Sequence, residues 1–189
     1  MGQLFELISD DALEKLDEYY TECHVCEKPD VDLYPYQGQI ILENGEIDDD
    51  IYAACHDCLQ SKPMAHSCSF LYEKTIEKYL YSLNLPHPRK IELKTVLTEK
   101  YNRTPDIPIF MQRPDIPLCC EDITEFIGYP QNDKELYEAS ENFTYWEEGI
   151  EEKSEYYDFR THGSPESLRE IAIFQCSHCR KKYFTFQFT

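Results

Sequence analysis

No apolar run in this 189-residue chain approaches the ~20 residues that a membrane-spanning helix needs, so no membrane span is expected. Basic residues are few: 18 Lys and Arg stand against 37 Asp and Glu, a formal net charge of -19. That field repels phosphate backbones, so direct binding to DNA or RNA is not expected, and the small cluster Arg180-Lys181-Lys182 does not reverse it. Two zinc-enzyme signatures are missing as well. There is no His-Glu-x-x-His, and neither His-x-Glu nor Pro-Cys-x-x-Cys of the zinc deaminases occurs. Glycine is scarce, at 6 residues, and no repeat or low-complexity tract is present. A hydrophobic content of 41% is near the globular norm and argues against wholesale disorder. No secretory leader is recognisable, and Glu6 stands where a myristoylation signal needs Ser or Thr. With an odd count of nine cysteines, this favours reduced thiols in the cytoplasm over a disulfide framework.

What the chain does have is cysteine in pairs. Cys23-His24-Val25-Cys26 and Cys55-His56-Asp57-Cys58 are separated by residues 27–54, and Cys176-Ser177-His178-Cys179 follows near the end. A zinc ion takes four soft or borderline ligands in a tetrahedron, and two Cys-x-x-Cys turns supply them by aiming two sulfurs each at one point. The spacing is longer than usual, but loops lengthen cheaply, at about 0.6 kcal/mol per doubling. One structural zinc site is therefore expected at Cys23, Cys26, Cys55 and Cys58. A redox pair is the competing reading of a single Cys-x-x-Cys, but it belongs in a βαβ setting that neither turn has. His24, His56 and His178 lie inside the turns and are left outside the metal shell.

Local patterning gives an expected order of elements. Leu4, Ile8, Ala12, Leu13 and Leu16 have helical spacing, and Asp10 sits where an N-cap would lie, so a short helix is expected from about Asp11. Strands are expected at 31–34, 39–42 and 51–54, with a turn at Asn44-Gly45. Asp48-Asp49-Asp50 does not match a calcium loop and reads as an exposed acidic loop. Helices are expected over 70–83, 91–101 and 134–142, and an extended segment over the proline-rich 105–117. Asp122 with Glu125 looks like a capping box ending at Gly128, which would place Cys119 and Cys120 just before a helix N-terminus. That position suits a metal ligand or a reactive thiol equally. Trp146 to Glu152 reads as acidic surface. A strand from about 167–174, the third cysteine turn and the alternating strand 181–188 together have a zinc-ribbon shape.

Several of these pieces in order resemble the CbrC-like family, a poorly characterised bacterial group with one member linked to colicin tolerance. The resemblance rests on the two N-terminal Cys-x-x-Cys turns, Arg103-Thr104-Pro105, and Cys120-x-Asp122-x-x-x-Phe126-x-Gly128-Tyr129. The terminal Cys176-x-x-Cys179 with its following strand completes it. It implies a cytosolic bacterial protein with no established enzymatic activity. Family turns tend to carry Gly after the second Cys, where this chain has Glu27, Leu59 and Arg180; Gly eases the positive φ that such turns can require. Where family members resemble His-Cys-x-Asp, this chain has Cys119-Cys120-Glu121-Asp122, an exchange of one zinc ligand type for another. The resemblance thereby suggests a second zinc site, with Cys176, Cys179 and Cys120 joined by Cys119. His162 and Cys68 are alternative fourth ligands, and Cys119 or Cys120 as an ordinary core thiol is the alternative to the site itself.

The expected fold is one α+β domain over 1–189, with small antiparallel zinc-ribbon or knuckle hairpins around a helical middle. Its parts are an N-terminal knuckle lobe (20–60), a mainly helical stretch (70–150) and a C-terminal ribbon hairpin (165–189). The expected function is a zinc-stabilised acidic interaction protein of the toxin-tolerance or immunity type, meeting a basic protein partner such as a nuclease toxin. Asp48, Asp49, Asp50, Glu147, Glu148, Glu151 and Glu152 would steer that partner, and exposed tyrosines would anchor it. The alternative is an enzyme with Cys120 as nucleophile and His162 as base.

Overall fold

In the computed structural model the described residues are 2–16, 19–36, 39–41, 44–61, 64–65, 70–104, 115–147, 150–152 and 158–186. Their elements run β1 (Leu33–Pro35), β2 (Gln39–Ile41), β3 (Ile47–Asp48), β4 (Ala53–Cys55), α1 (His56–Ser61) and β5 (Met64–Ala65). There follow α2 (Phe70–Ser82), α3 (His87–Tyr101), β6 (Leu118–Cys119), β7 (Asp122–Ile123), β8 (Glu125–Gly128), α4 (Asp133–Asn142), β9 (Thr144–Glu147) and β10 (Ile150–Glu152). The chain closes with α5 (Phe159–His162), β11 (Ile171–Gln175) and β12 (Lys182–Phe186). The fold is α+β, built largely from short antiparallel hairpins.

The largest sheet has the order β10-β9-β12-β11-β8. β12 pairs antiparallel with β11 from Ile171↔Phe186 to Gln175↔Lys182, and parallel with β9 through Tyr183↔Thr144. Successive strand residues point to opposite faces, and here both faces are covered. Trp146, Ala172, Phe174 and Tyr183 enter the main core, while Tyr145, Ile171 and Phe184 join Leu136 of α4 and Phe159 of α5 in a second, smaller one. The expected alternation of aromatic and polar along the last strand is thus an alternation between two cores. The main core continues through Tyr72, Ile76 and Leu80 of α2 and Leu93, Leu97 and Tyr101 of α3 to the N-terminal cysteine turns. Leu71 of α2 is exposed, while its neighbour Tyr72 is fully buried.

Several expected elements form differently. The N-terminal helix is replaced by a single 3-10 turn, Asp10–Ala12, whose N-cap is Ser9. Phe5, Leu7 and Ile8 are all buried, which a surface helix with one apolar stripe does not permit. A tight turn does: Ile8 N–H donates to Phe5 O at 3.3 Å, and the segment is held against β8 by Phe126 N–H to Leu7 O at 2.8 Å and Ser9 N–H to Phe126 O at 2.9 Å. The helix expected after Asp122 is also absent; β7 and β8 occupy its residues. Asp122 Oδ1 accepts from Ile123 N–H, one residue on, so the capping pattern does not start a helix. α4 begins one residue before the expected 134, so Asp133, the expected cap, lies inside it. Asn132 caps it instead, accepting from Glu135 N–H at 3.1 Å while Glu135 reaches back to Gln131 N–H at 2.9 Å. Trp146 is no surface residue: its indole N–H donates to the buried Asp115 at 3.0 Å. The middle stretch holds α2, α3 and α4, but also β6 to β9. Most of the extended proline segment (105–114), Cys68 and Glu148 lie outside the described residues, as do the side chains of His162, Glu151 and Glu152.

Candidate metal centres

Two of the cysteine turns have the same backbone wiring. In the first, Cys23 O accepts from Glu27 N–H at 2.8 Å and Cys23 N–H donates to Lys28 O at 3.0 Å. In the last, Cys176 O accepts from Arg180 N–H at 3.0 Å and Cys176 N–H donates to Lys181 O at 2.9 Å. Both turns end in the left-handed region, with φ 57° at Glu27 and 63° at Arg180. The conformation for which Gly is suited is therefore adopted without Gly. Leu59 faces no such demand, because Cys58 and Leu59 belong to α1.

Each of these turns meets a second pair of thiols. β4 pairs with β1 (Leu33↔Cys55) and delivers Cys55, while the first turn of α1 delivers Cys58. Cys55 N–H donates to Cys23 Sγ at 3.3 Å, and Cys26 Sγ lies 3.9 Å from Cys55 Sγ. The last turn meets the β6–β7 hairpin, whose two-residue loop is Cys120-Glu121. Both loop residues have positive φ, 53° and 62°, the requirement of the tight turn that joins twisted strands. This reversal lets adjacent residues aim both sulfurs one way: Cys119 Sγ lies 3.8 Å from Cys120 Sγ and 3.5 Å from Cys179 Sγ.

The structure thereby gathers all eight candidate cysteines into two clusters, Cys23, Cys26, Cys55, Cys58 and Cys119, Cys120, Cys176, Cys179. Within each cluster the sulfurs lie within 4.8 Å of one another. A tetrahedron of ~2.3 Å metal–sulfur bonds has edges of about 3.8 Å, and the measured separations bracket that value. Each cluster can hold a metal ion. Two of the histidines within these segments have partners outside the clusters: His24 Nδ1 accepts from Tyr52 N–H at 3.3 Å, and His178 Nε2 is 3.1 Å from Asp122.

Crowded thiols resist ionising together. Burial raises Cys23, but N–H groups of Cys55, Val25 and Cys26 outweigh it and bring its thiol to about 7. Burial and the neighbouring sulfurs push Cys58 well up, and burial raises Cys55. In the second cluster the Lys181 N–H and the adjacent thiols bring Cys179 to about 7. Burial drives Cys119 upward despite a hydrogen bond from Tyr183, and the bond to Cys179 raises Cys120. Without a cation, each cluster holds protons that a divalent ion would displace.

The surroundings differ. Cys23, Cys55 and Cys58 are buried in the main core, whereas Cys120 and Cys179 are exposed. Beside the second cluster is an open cleft of about 430 Å³, lined among others by Cys120, Asp122, His178, Arg89, Lys100 and Arg103. Asp122 binds Lys100 at 2.8 Å, and Lys100 also binds Glu6 at 2.9 Å, so the cluster is tied to α3 and to the N-terminal segment. Tyr79 of α2 accepts from Glu121 N–H at 2.9 Å. Lys100 and Tyr79 carry no sequence signal for this role, since each is brought to the cluster from a distant helix. Cys120 sits among sulfurs that raise its thiol, which is unfavourable for a nucleophile, and its proposed partner His162 ends α5.

No helix among the described residues is long and apolar enough to cross a membrane. Neither the curated proteins nor the solved structures provide a match. The sequence does match the model of an uncharacterised protein family, UPF0167, over residues 11–188, and the chain belongs to that family.

Proposed function

We propose that this protein is a zinc-stabilised acidic interaction factor that binds a basic protein partner in the bacterial cytoplasm, in the manner of a toxin-tolerance or immunity protein. The observation that carries the zinc assignment is the donor set: four thiols at each cluster and no open corner for water or substrate. Soft all-sulfur tetrahedra favour zinc or iron–sulfur chemistry, and closed ones serve structure rather than catalysis. The basic partner is inferred from the excess of 37 acidic over 18 basic residues. It is supported locally by Glu46, Asp48, Asp49 and Asp50, where hydrogen bonds run to neighbours in the same loop and no ion pair forms with the other described residues. The resemblance to CbrC-like proteins supports the tolerance role. Metal analysis of protein purified without chelators tests the first part, with two zinc equivalents per chain expected. Capture of a partner from the native host tests the second. Its association should slow as salt is added, because steering by unlike charge is screened beyond about 10 Å at 0.1 M. A salt-independent association rate would remove the electrostatic part.

A further inference from the structure

We propose that the second cysteine cluster is a site of reversible oxidation, at which a small hydroperoxide joins Cys119 to Cys179 and frees the bound metal while the first cluster is spared. This rests on zinc being held there, as inferred above. Three observations carry it. Cys120 and Cys179 are exposed, whereas Cys23, Cys55 and Cys58 of the first cluster are buried. Cys120 opens onto the 430 Å³ cleft, which can admit a small oxidant to the sulfurs. Cys119 Sγ and Cys179 Sγ lie 3.5 Å apart and come from two different hairpins.

The partner choice follows from covalent geometry. Adjacent residues have Cα atoms about 3.8 Å apart across a trans peptide, short of the ~4.4–6.8 Å usual for a disulfide. Cys119 and Cys120 are therefore a poor pair, and Cys119 with Cys179 is the better one.

The step balances as follows. The Cys179 thiolate attacks the terminal oxygen of the hydroperoxide; an S–O bond forms, the O–O bond breaks, and the alkoxide or hydroxide leaves and takes a proton. The Cys119 thiolate then attacks the sulfur of this sulfenic acid. An S–S bond forms, the S–O bond breaks, and the departing hydroxide takes a second proton to leave as water. Two thiolates lose two electrons and the peroxide gains them. Cys120 and Cys176 remain, two ligands where four are needed, so the metal leaves. A dithiol reductant reverses the change by exchange.

The test uses the zinc-loaded full-length chain, hydrogen peroxide in slight excess, and a metallochromic indicator, followed by non-reducing peptide mapping. The expected result is release of one zinc equivalent roughly tenfold or more faster than the other, since thiolate reactivity follows exposure. The map should show a Cys119–Cys179 bridge and Cys23, Cys26, Cys55 and Cys58 as free thiols. Dithiothreitol with zinc should restore the starting protein. Because Cys179→Ser removes a ligand and can unfold the site, the companion variant is Cys68→Ser, which should release zinc as the parent does. Simultaneous loss of both equivalents, a bridge within the first four cysteines, or abolished release in Cys68→Ser overturns the proposal. Zinc that is present but retained overturns it alone. Protein isolated with no zinc at the second cluster overturns the metal reading and this inference with it.

Discussion

The same cysteine turn closes both clusters, with matching hydrogen bonds and the same left-handed residue after the second cysteine. What differs is the setting. Around Cys23 and Cys55 lie Leu33, Ala53, Ala54 and Leu59, so a metal there would be part of the main core. Around Cys120 and Cys179 lie solvent, a cleft and the Glu6–Lys100–Asp122 ion pairs, so a metal there would act as a clasp between the β6–β7 and β11–β12 hairpins. Burial, rather than ligand type, separates a folding element from an accessible site.

The sharpest way to break that distinction is to remove one ligand from each. Structural zinc contributes about 10–16 kcal/mol of apparent binding energy in zinc-finger peptides, comparable with the whole stability of a typical domain at about 5–15 kcal/mol. Cys58→Ser should therefore prevent accumulation of folded protein, seen as loss of soluble yield and of a cooperative thermal transition. Cys120→Ser should stay folded and lose only the second metal. Equal damage from the two would erase the difference between the clusters. Next in size is Asp122→Asn, which strips the carboxylate shared by Lys100 and His178. Lys100 is mostly buried, so a loss of about 1–3 kcal/mol in urea denaturation is expected. Tyr183→Phe removes only the hydroxyl that bonds to Cys119. Loss of such an outer partner lowers metal affinity about 10-fold or more, here at the second cluster alone, as competition with a chelator would measure.

Proton competition sharpens the comparison further. Cys55, Cys58, Cys119 and Cys120 are raised above 9.0 in the metal-free clusters, so metal must displace protons and zinc affinity rises with pH. Acidification should empty the exposed cluster before the buried one in an equilibrium dialysis series. In the metal-free chain these same groups bind protons more tightly folded than unfolded. Their contribution to stability is intact below 9.0 and lost as pH climbs beyond it. The smallest effects concern the turns. Glu27→Gly and Arg180→Gly relieve positive φ and should change stability by less than about 1 kcal/mol, in the stabilising direction. Leu59→Gly should destabilise, because that residue is buried and helical.

Much of the local structure was legible in the sequence. The first and last Cys-x-x-Cys turns, the Asn44-Gly45 reversal between β2 and β3, and α2, α3 and α4 follow from residue types a few positions apart, whereas the middle Cys-x-x-Cys runs from β4 into α1. The misplaced elements share one cause. Leu4 to Leu16 has a helical period, but burial of Leu7 and Ile8 against β8 selects a tight turn bridged to Phe126 instead. Asp122 and Glu125 fit a capping box, but the hairpin through Cys120-Glu121 claims those residues for β7 and β8. In each case a contact with a distant strand outweighed a local preference, as tertiary context routinely does.

The sequence by itself determined that thiols would come in close pairs, that the surface would carry strong negative charge, and that apolar residues would suffice for a core. These are properties of composition and near-neighbour spacing, and they survive any arrangement of the chain. Only the tertiary structure decided that Cys55 and Cys58 meet Cys23 and Cys26, that Cys119 and Cys120 meet Cys176 and Cys179, and which cluster lies open to solvent. Cys119 and Cys176, 57 residues apart, come together there because β8, which directly follows the β6–β7 hairpin, pairs with β11. Sheet pairing is a long-range contact that no local pattern encodes, and it sets both the ligand partners and their exposure.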